Sequence, residues 1–239
     1  MALTDPWLKN DERADIPGYP PVAQWKRDTV RAGGVCIYER LELSSVLTTA
    51  EHELVDLDTK TKEIIKAERA HTGIGDVCAV ETTIGGRRAL IMAVYLTPGT
   101  SMEKLELYFF KNLMGYSTRL IGLSKAYDKL GYGTMPLIVC GDFNVNLQTD
   151  EGSEFIAFMK RAFNLDLSND PAFPTTRGGT CINAVFTRHV DNVQTRNYIS
   201  YFSYHKPLLS ITDADRNEYL SNRYCILWLN KNNKWILIL

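Results

Sequence analysis

Residues 136–146 of this chain read PLIVCGDFNVN, a run of apolar residues that passes directly into glycine, aspartate and asparagine. The apolar run at 137–140 is short and rich in β-branched residues, which favours a strand buried on both faces over a helix. Gly141 ends the run and lets the backbone turn. Asp142 and Asn144 therefore follow at the carboxyl end of a central strand, where α/β sheets usually keep their ligand sites.

The side chains of Asp142 and Asn144 suit a binding site, but they also suit a simple turn. A carboxylate can hold a hard cation or orient a water molecule, and an amide can both donate and accept a hydrogen bond. The same residue types form Asx turns that end a strand without binding anything. The motif alone leaves both interpretations open.

The composition of the chain is that of an ordinary soluble globular protein of one large domain. It has 239 residues, 45% of them hydrophobic and 23% charged, and the formal net charge is −1. No overall basic charge indicates nucleic acid, so a polyanion would have to be bound by local patches or through a metal ion. No apolar run approaches the roughly 18 residues that a membrane span needs. We expect an intracellular protein, without a leader peptide.

The five cysteines lack the paired spacings of metal sites and mostly sit in apolar runs. We therefore expect buried free thiols in a reducing compartment.

Further strands and helices can be predicted around the central motif. The runs 76–84 and 88–96, joined by two glycines and an arginine, predict a hairpin that carries Tyr95 near its end. Apolar residues at helical spacing predict helices over 101–113 and 151–163. Strands are also predicted at 181–187, which contains Asn183, and at 198–203, which leads to Tyr204 and His205.

Both ends of the sequence lack a clear place in this pattern. We see no strand before Asp5, although an α/β domain typically opens on one. After Ile211 the pattern decays, and the apolar run that begins at Tyr224 has no evident partner. The sequence therefore predicts a domain at 1–211 and a separate tail at 212–239, and deleting 214–239 should leave the melting temperature nearly unchanged.

Four segments together resemble the endonuclease/exonuclease/phosphatase superfamily, and most closely its non-LTR retrotransposon endonucleases. They are the strand that opens on Gly33-Gly34-Val35, Tyr95 with Pro98, Gly141-Asp142-Phe143-Asn144, and Ser203-Tyr204-His205-Lys206-Pro207. The order and spacing fit from about residue 4 to residue 211. The resemblance implies an α/β fold of two packed β-sheets flanked by helices, like that of deoxyribonuclease I.

The resemblance also implies roles for particular residues in a Mg²⁺-dependent phosphodiesterase, with Mn²⁺ as an alternative ion. Asp142 would orient or deprotonate the attacking water, and Asn144 would position that water or the phosphate. His205 would donate to the phosphoryl oxygen, which Tyr95 would also contact. Asp5 stands where the family has a metal-binding glutamate, so the implied metal ligands are Asp5 and Asp142.

Three departures from the family pattern bear on activity. Asn183 stands where the family has an aspartate that holds the histidine, and Tyr204 stands where it has the aspartate of Ser-Asp-His. The first family strand, with its asparagine, is missing, which indicates an N-terminally truncated relative. Restoring carboxylates at positions 183 and 204 is then expected to raise activity, because a carboxylate favours protonated His205.

Function is therefore left with three interpretations. The first is an endonuclease that acts on DNA, nuclear if its target is genomic DNA. The second is an inactive remnant of a mobile element that at most binds nucleic acid. The third is a phosphatase or sphingomyelinase-type member of the same superfamily. Taken singly, His205 could be a loop histidine and Tyr95 a structural strand residue. Protein partners cannot be inferred from the sequence.

Overall fold

The fold is seen in a computed structural model that describes residues 1–4, 12, 16–26, 32–39, 74–84, 87–114, 135–199, 203–212 and 224–229. The strands among these residues form two mixed β-sheets. The six-stranded sheet has the order β2-β3-β1-β11-β10-β9, and the five-stranded sheet has the order β4-β5-β6-β8-β7.

In chain order, the strands and α-helices of the described residues have the following bounds. They are β1 Ala2–Thr4, β2 Pro21–Trp25, β3 Val35–Tyr38, β4 Gly75–Ile84, β5 Arg87–Leu96, α1 Met102–Phe109, β6 Leu137–Asp142, α2 Asp150–Phe163, β7 Asp166–Leu167, β8 Asn183–Arg188, β9 Gln194–Asn197, β10 Leu208–Ile211 and β11 Tyr224–Leu229.

Two of the apolar clusters formed by the described residues lie on the two faces of the five-stranded sheet. One lies between the sheets and combines Ala2, Val35 and Ile37 of the first sheet with residues such as Ala93 and Cys140 of the second. The other joins the opposite face of the five-stranded sheet to the two helices. It is rich in phenylalanine, and its members include Phe109, Phe143, Phe155, Phe158 and Phe186. The predicted class, two packed sheets flanked by helices, is confirmed.

The central strand forms as its sequence predicts. All six residues of β6 are buried, because the strand lies between β5 and β8 and between two apolar layers. The hairpin of β4 and β5 is also confirmed, with Ile84 opposite Arg87. Helix α2 begins after Thr149, whose hydroxyl accepts from the Gly152 N–H, as N-terminal caps do.

Other predicted elements differ from the structure or lie outside it. Helix α1 starts after Ser101 without a hydrogen bond from that side chain, and it continues as a π-helical turn, Phe110–Met114. Of the strand expected at 198–203, residues 198, 199 and 203 are not in a strand and 200–202 lie outside the described residues. The described strand in this region is β9, Gln194–Asn197, which pairs with β10 at the edge of its sheet. The sequence also suggests a weak strand at 54–58, a partly helical segment at 59–75 and a helix at 118–130. Residues 54–73 and 118–130 lie outside the described residues, and Gly75 belongs to β4.

Two expectations about the chain ends are wrong. A strand does precede Asp5, because Ala2 and Leu3 are buried in β1 between β3 and β11. The segment after Ile211 is not without a partner either. Strand β11 pairs in parallel with β1 and antiparallel with β10, inside the six-stranded sheet. The boundary at residue 211 between a family-like region and a tail stays a prediction.

Four of the five cysteines, Cys36, Cys78, Cys140 and Cys181, are buried free thiols, as predicted. Burial raises the pKa of Cys36 to about 11 and that of Cys78 well above its ordinary value, so both thiols stay protonated at neutral pH. They belong to the core and are poor nucleophiles. Among the described residues no helix is both long and apolar enough to cross a membrane.

Candidate active site

Four polar residues stand side by side across the five-stranded sheet. Asp76 of β4 is opposite Tyr95 of β5, Tyr95 is opposite Asp142 of β6, and Asp142 is opposite Asn183 of β8. Side chains of directly paired residues project from the same face of a sheet. All four residues are buried. The register therefore assembles one polar row, which is defined here as Asp76, Tyr95, Asp142 and Asn183.

The polar row lies on the face that packs against the other sheet. Because side chains alternate along a strand, Tyr95 shares its face with Ala93, and Asp142 shares its face with Cys140. Ala93 and Cys140 belong to the apolar cluster between the two sheets. The row also comes at the carboxyl ends of the parallel strands β5 and β6. It therefore borders the inter-sheet space at one edge of the sandwich.

The six-stranded sheet contributes to the same edge through β1. The last residue of β1, Thr4, pairs with Val35, and the preceding Gly34 donates its N–H to Asp76 Oδ2 at 2.8 Å. The carboxyl end of β1 thus faces the polar row. Asp5, the predicted metal ligand, follows Thr4 in sequence but lies outside the described residues, so its placement stays a prediction.

Asp142 and Asn144 form the Asx turn that the sequence also allowed. The Asn144 N–H donates to Asp142 Oδ1 at 3.0 Å, and Asn144 adopts a left-handed backbone with φ of 49°. Its side-chain Nδ2 donates to the Leu96 carbonyl oxygen at 2.7 Å. No described residue donates to the Asn144 Oδ1 atom. The turn therefore holds both side chains at the polar row.

His205 joins the row through Asn183. Its Nδ1 atom lies 3.3 Å from Asn183 Oδ1, and its side chain is buried. The His205 N–H donates to Ser203 Oγ at 3.1 Å, which fixes the backbone of the motif. Tyr204 is 47% exposed and meets the His205 ring edge to face, at 5.7 Å between centroids. The structure thus brings Tyr95, Asp142, Asn144, Asn183 and His205 to one edge of the sandwich.

Asp76 is the member of the polar row that we did not predict from the sequence. The signal was available in the hairpin. Ile84 is opposite Arg87, and counting back along both strands from that pair sets Asp76 opposite Tyr95.

We expect Asp76→Ala to lower the free energy of unfolding by about 1–3 kcal/mol, because the buried Gly34 N–H loses its carboxylate acceptor. Asp76→Asn keeps an acceptor oxygen at that place and should cost less. Urea denaturation of both variants measures the difference. An alanine variant as stable as the parent would show that the contact to Gly34 does not stabilise this edge.

The donor groups at this edge fit a magnesium ion that is held together with a substrate. Mg²⁺ is usually bound by one or two carboxylates, with water and phosphate oxygens completing its octahedron. Asp142 offers one carboxylate here. The buried Thr4 hydroxyl, which has no hydrogen-bond partner among the described residues, is suited to a water of a hydrated ion. The described residues hold no cluster of three metal-ligating side chains. A metal cage built from protein groups alone is therefore not seen in this part of the chain.

Comparisons with known proteins find likeness only among solved structures. No family model and no curated protein sequence matches the chain. The endonuclease domain of TRAS1, a telomere-specific non-LTR retrotransposon, is 15% identical, with a TM-score of 0.39, over 55% of this chain and 58% of that one. The human Nocturnin catalytic domain is 17% identical, with a TM-score of 0.31, over 55% of this chain and 43% of that one.

A third similar structure covers more of the chain. An endonuclease/exonuclease/phosphatase family protein from Bacteroides thetaiotaomicron is 15% identical, with a TM-score of 0.43, over 81% of this chain and 74% of that one. The structures found thus include a retrotransposon endonuclease domain and a member of the superfamily that the sequence motifs resemble. The chain spans less than two thirds of the TRAS1 and Nocturnin structures, and the activity and substrate of this chain do not follow from these likenesses.

Proposed function

We propose that the protein is a Mg²⁺-dependent phosphodiesterase that cleaves DNA, of the retrotransposon endonuclease type. The observation that carries the proposal is the register that sets Tyr95, Asp142 and Asn183 side by side, with His205 bonded to Asn183. Hydrolysis of a phosphodiester needs a positioned water and groups that stabilise the negative charge developing on the phosphoryl oxygens. A buried carboxylate, a phenol and an imidazole at one edge supply such groups.

Each residue has a distinct role in the proposed reaction. Asp142 orients the attacking water and accepts its proton, and the Asn144 Oδ1 atom accepts a hydrogen bond from the same water. Tyr95 and protonated His205 donate to the phosphoryl oxygens. Asp142, together with Asp5, would hold the ion, which supplies positive charge that offsets the charge on the phosphate.

The proposal predicts that Asp142→Asn lowers the rate of DNA cleavage by at least about 100-fold, the lower bound for a positioned general base. The amide has a similar shape but cannot take the proton and is a weaker ligand for a hard cation. Single-turnover nicking of supercoiled plasmid at saturating Mg²⁺ measures the rate. Addition of a chelator should abolish nicking by the parent protein.

Asp150→Asn provides a matched control, because Asp150 is an exposed carboxylate in the first turn of α2. This variant should nick at the parental rate. An Asp142→Asn variant that cleaves as fast as the parent, or a parent that is insensitive to chelator, would contradict the proposed site.

The alternative of an inactive relative is suggested by Asn183 and Tyr204, which replace family aspartates. It predicts a salt-sensitive gel shift of DNA by the parent protein with no metal-dependent nicking. Hydrolysis of a phosphomonoester or of sphingomyelin, without cleavage of DNA, would instead support a phosphatase or a sphingomyelinase-type enzyme. The three outcomes exclude one another in the same set of assays.

A further inference from the structure

The loop before β8 supports both Asn183 and His205 through one threonine. Thr175 is fully buried, and its carbonyl oxygen accepts from the Lys206 N–H at 2.7 Å and from Asn183 Nδ2 at 3.3 Å. Its hydroxyl oxygen accepts from the N–H groups of Ile182 and Asn183, at 2.9 and 3.0 Å. Thr175 therefore contacts the main chain and the side chain of Asn183 and the residue that follows His205.

These contacts decide which way the Asn183 amide faces. A carbonyl oxygen can only accept, so the NH₂ group of Asn183 must be the part that faces Thr175. The Oδ1 atom then faces His205 Nδ1. Because Oδ1 also can only accept, the proton of the hydrogen bond belongs to Nδ1. A neutral His205 consequently has its lone pair on Nε2.

We propose that Thr175 is a positioning residue, which orients Asn183 and through it keeps His205 in the Nδ1–H form. This inference rests on the proposed function, in which His205 donates to a phosphoryl oxygen. Because Nδ1 faces Asn183, Nε2 is the ring nitrogen that would make that contact. Nδ1 carries a proton in both the neutral and the charged ring, so the contact to Asn183 persists when His205 gains or loses the proton on Nε2. The ring is then held in place through both states of a catalytic cycle.

The same geometry changes what is expected of a carboxylate at position 183. An aspartate that keeps the contact to His205 would set its second oxygen against the Thr175 carbonyl oxygen, with no proton between the two acceptors. This replaces a hydrogen bond with a repulsive contact in a fully buried place. The groups around position 183 therefore suit an amide better than a carboxylate. Asn183→Asp is therefore expected to lower activity, whereas the family pattern alone predicted a rise.

The test uses the full chain with ¹⁵N-labelled histidine and the variants Thr175→Val and Thr175→Ser. Two-bond ¹H–¹⁵N spectra at pH 8 report which ring nitrogen of His205 carries the proton, and a His205→Asn variant assigns the signal. The parent and the serine variant should show the Nδ1–H form. The valine variant keeps the Thr175 carbonyl oxygen but leaves the buried N–H groups of Ile182 and Asn183 without their acceptor. The start of β8 should then shift, so His205 should show a mixture of tautomers, and kcat should fall at least about tenfold with little change in KM.

Two controls separate positioning from general damage. Thr176→Val removes the hydroxyl of the next residue, which bonds Thr180 and not Asn183. The His205 signal of this variant should therefore stay parental. His189, which is exposed, should be unaffected in every variant.

The outcomes bear separately on the positioning role and on the proposed function. A folded Thr175→Val protein with parental His205 tautomer, or an equal change in Thr176→Val, would overturn the positioning role. If Thr175→Val does not fold, Asn183→Asp is the deciding variant. An Asn183→Asp protein that is faster than the parent would show that the groups around position 183 do not require an amide. The expected tautomers in a parent that hydrolyses no phosphodiester would reject the proposed function and leave the positioning role standing.

Discussion

Deletion of residues 224–239 is expected to lower the melting temperature by more than about 10 °C or to abolish cooperative unfolding. Strand β11 lies between β1 and β10, and without it the six-stranded sheet separates into β2-β3-β1 and β10-β9. Two strands would lose their partners, and buried backbone groups left without hydrogen bonds are costly. Each kcal/mol lost shifts the melting temperature of a domain of this size by about 2–4 °C. Thermal unfolding followed by circular dichroism measures the effect.

Truncation after Leu229 is the matched comparison, because it keeps all of β11. This variant should melt much closer to the full chain than the 224–239 deletion does. If the two truncations melted together, within a few degrees of the full chain, the pairing of β11 with β1 and β10 would contribute nothing to stability. The earlier expectation of a dispensable tail would then be correct.

Gly141→Ala is expected to destabilise the protein by about 2–6 kcal/mol. Gly141 has a φ of 151°, and a Cβ atom there would overlap the carbonyl oxygen of Val94 in the neighbouring strand. Overpacking of a core and an unfavourable backbone conformation each cost about 1–3 kcal/mol. Because Asp142 follows directly, any folded fraction should also lose hydrolytic activity. Urea denaturation and the nicking assay measure the two effects.

Gly99→Ala is the control for backbone strain without overlap. Gly99 also has a positive φ, of 73°, but a Cβ atom there meets nothing within 4 Å. The expected cost is about 1–2 kcal/mol, the penalty of a left-handed conformation. Equal stability losses in the two variants would show that the close approach of β5 and β6 at Gly141 does not matter.

Local sequence patterns are sufficient to predict the β4–β5 hairpin and the central strand β6. The hairpin of β4 and β5 follows from alternating side chains and the Gly85-Gly86 pair between the two runs, so even its register could have been counted. The buried strand β6 and the turn after it follow from the apolar run and Gly141. In each case the residues that decide the structure are close together in the chain.

Asn183 illustrates the limit of reading a motif residue by residue. Asn183 stands where the family has an aspartate, so the family pattern predicted low activity that an aspartate at this position would raise. The structure shows the amide bonded to Thr175 on one side and to His205 on the other. Which substitution a site tolerates depends on the groups that surround it, and the sequence does not say that Thr175 is one of them.

The sequence by itself determined the fold class, the central strand and the candidate residues Tyr95, Asp142, Asn144, Asn183 and His205. Only the tertiary structure decided that Thr175 bonds Asn183 and that β11 lies between β1 and β10. The physical reason is the range of the interactions. Turns and strand periodicity depend on neighbours in the chain, whereas the pairing of β1 with β11 joins opposite ends of it, and hydrophobic patterns mark a buried strand without specifying its partner.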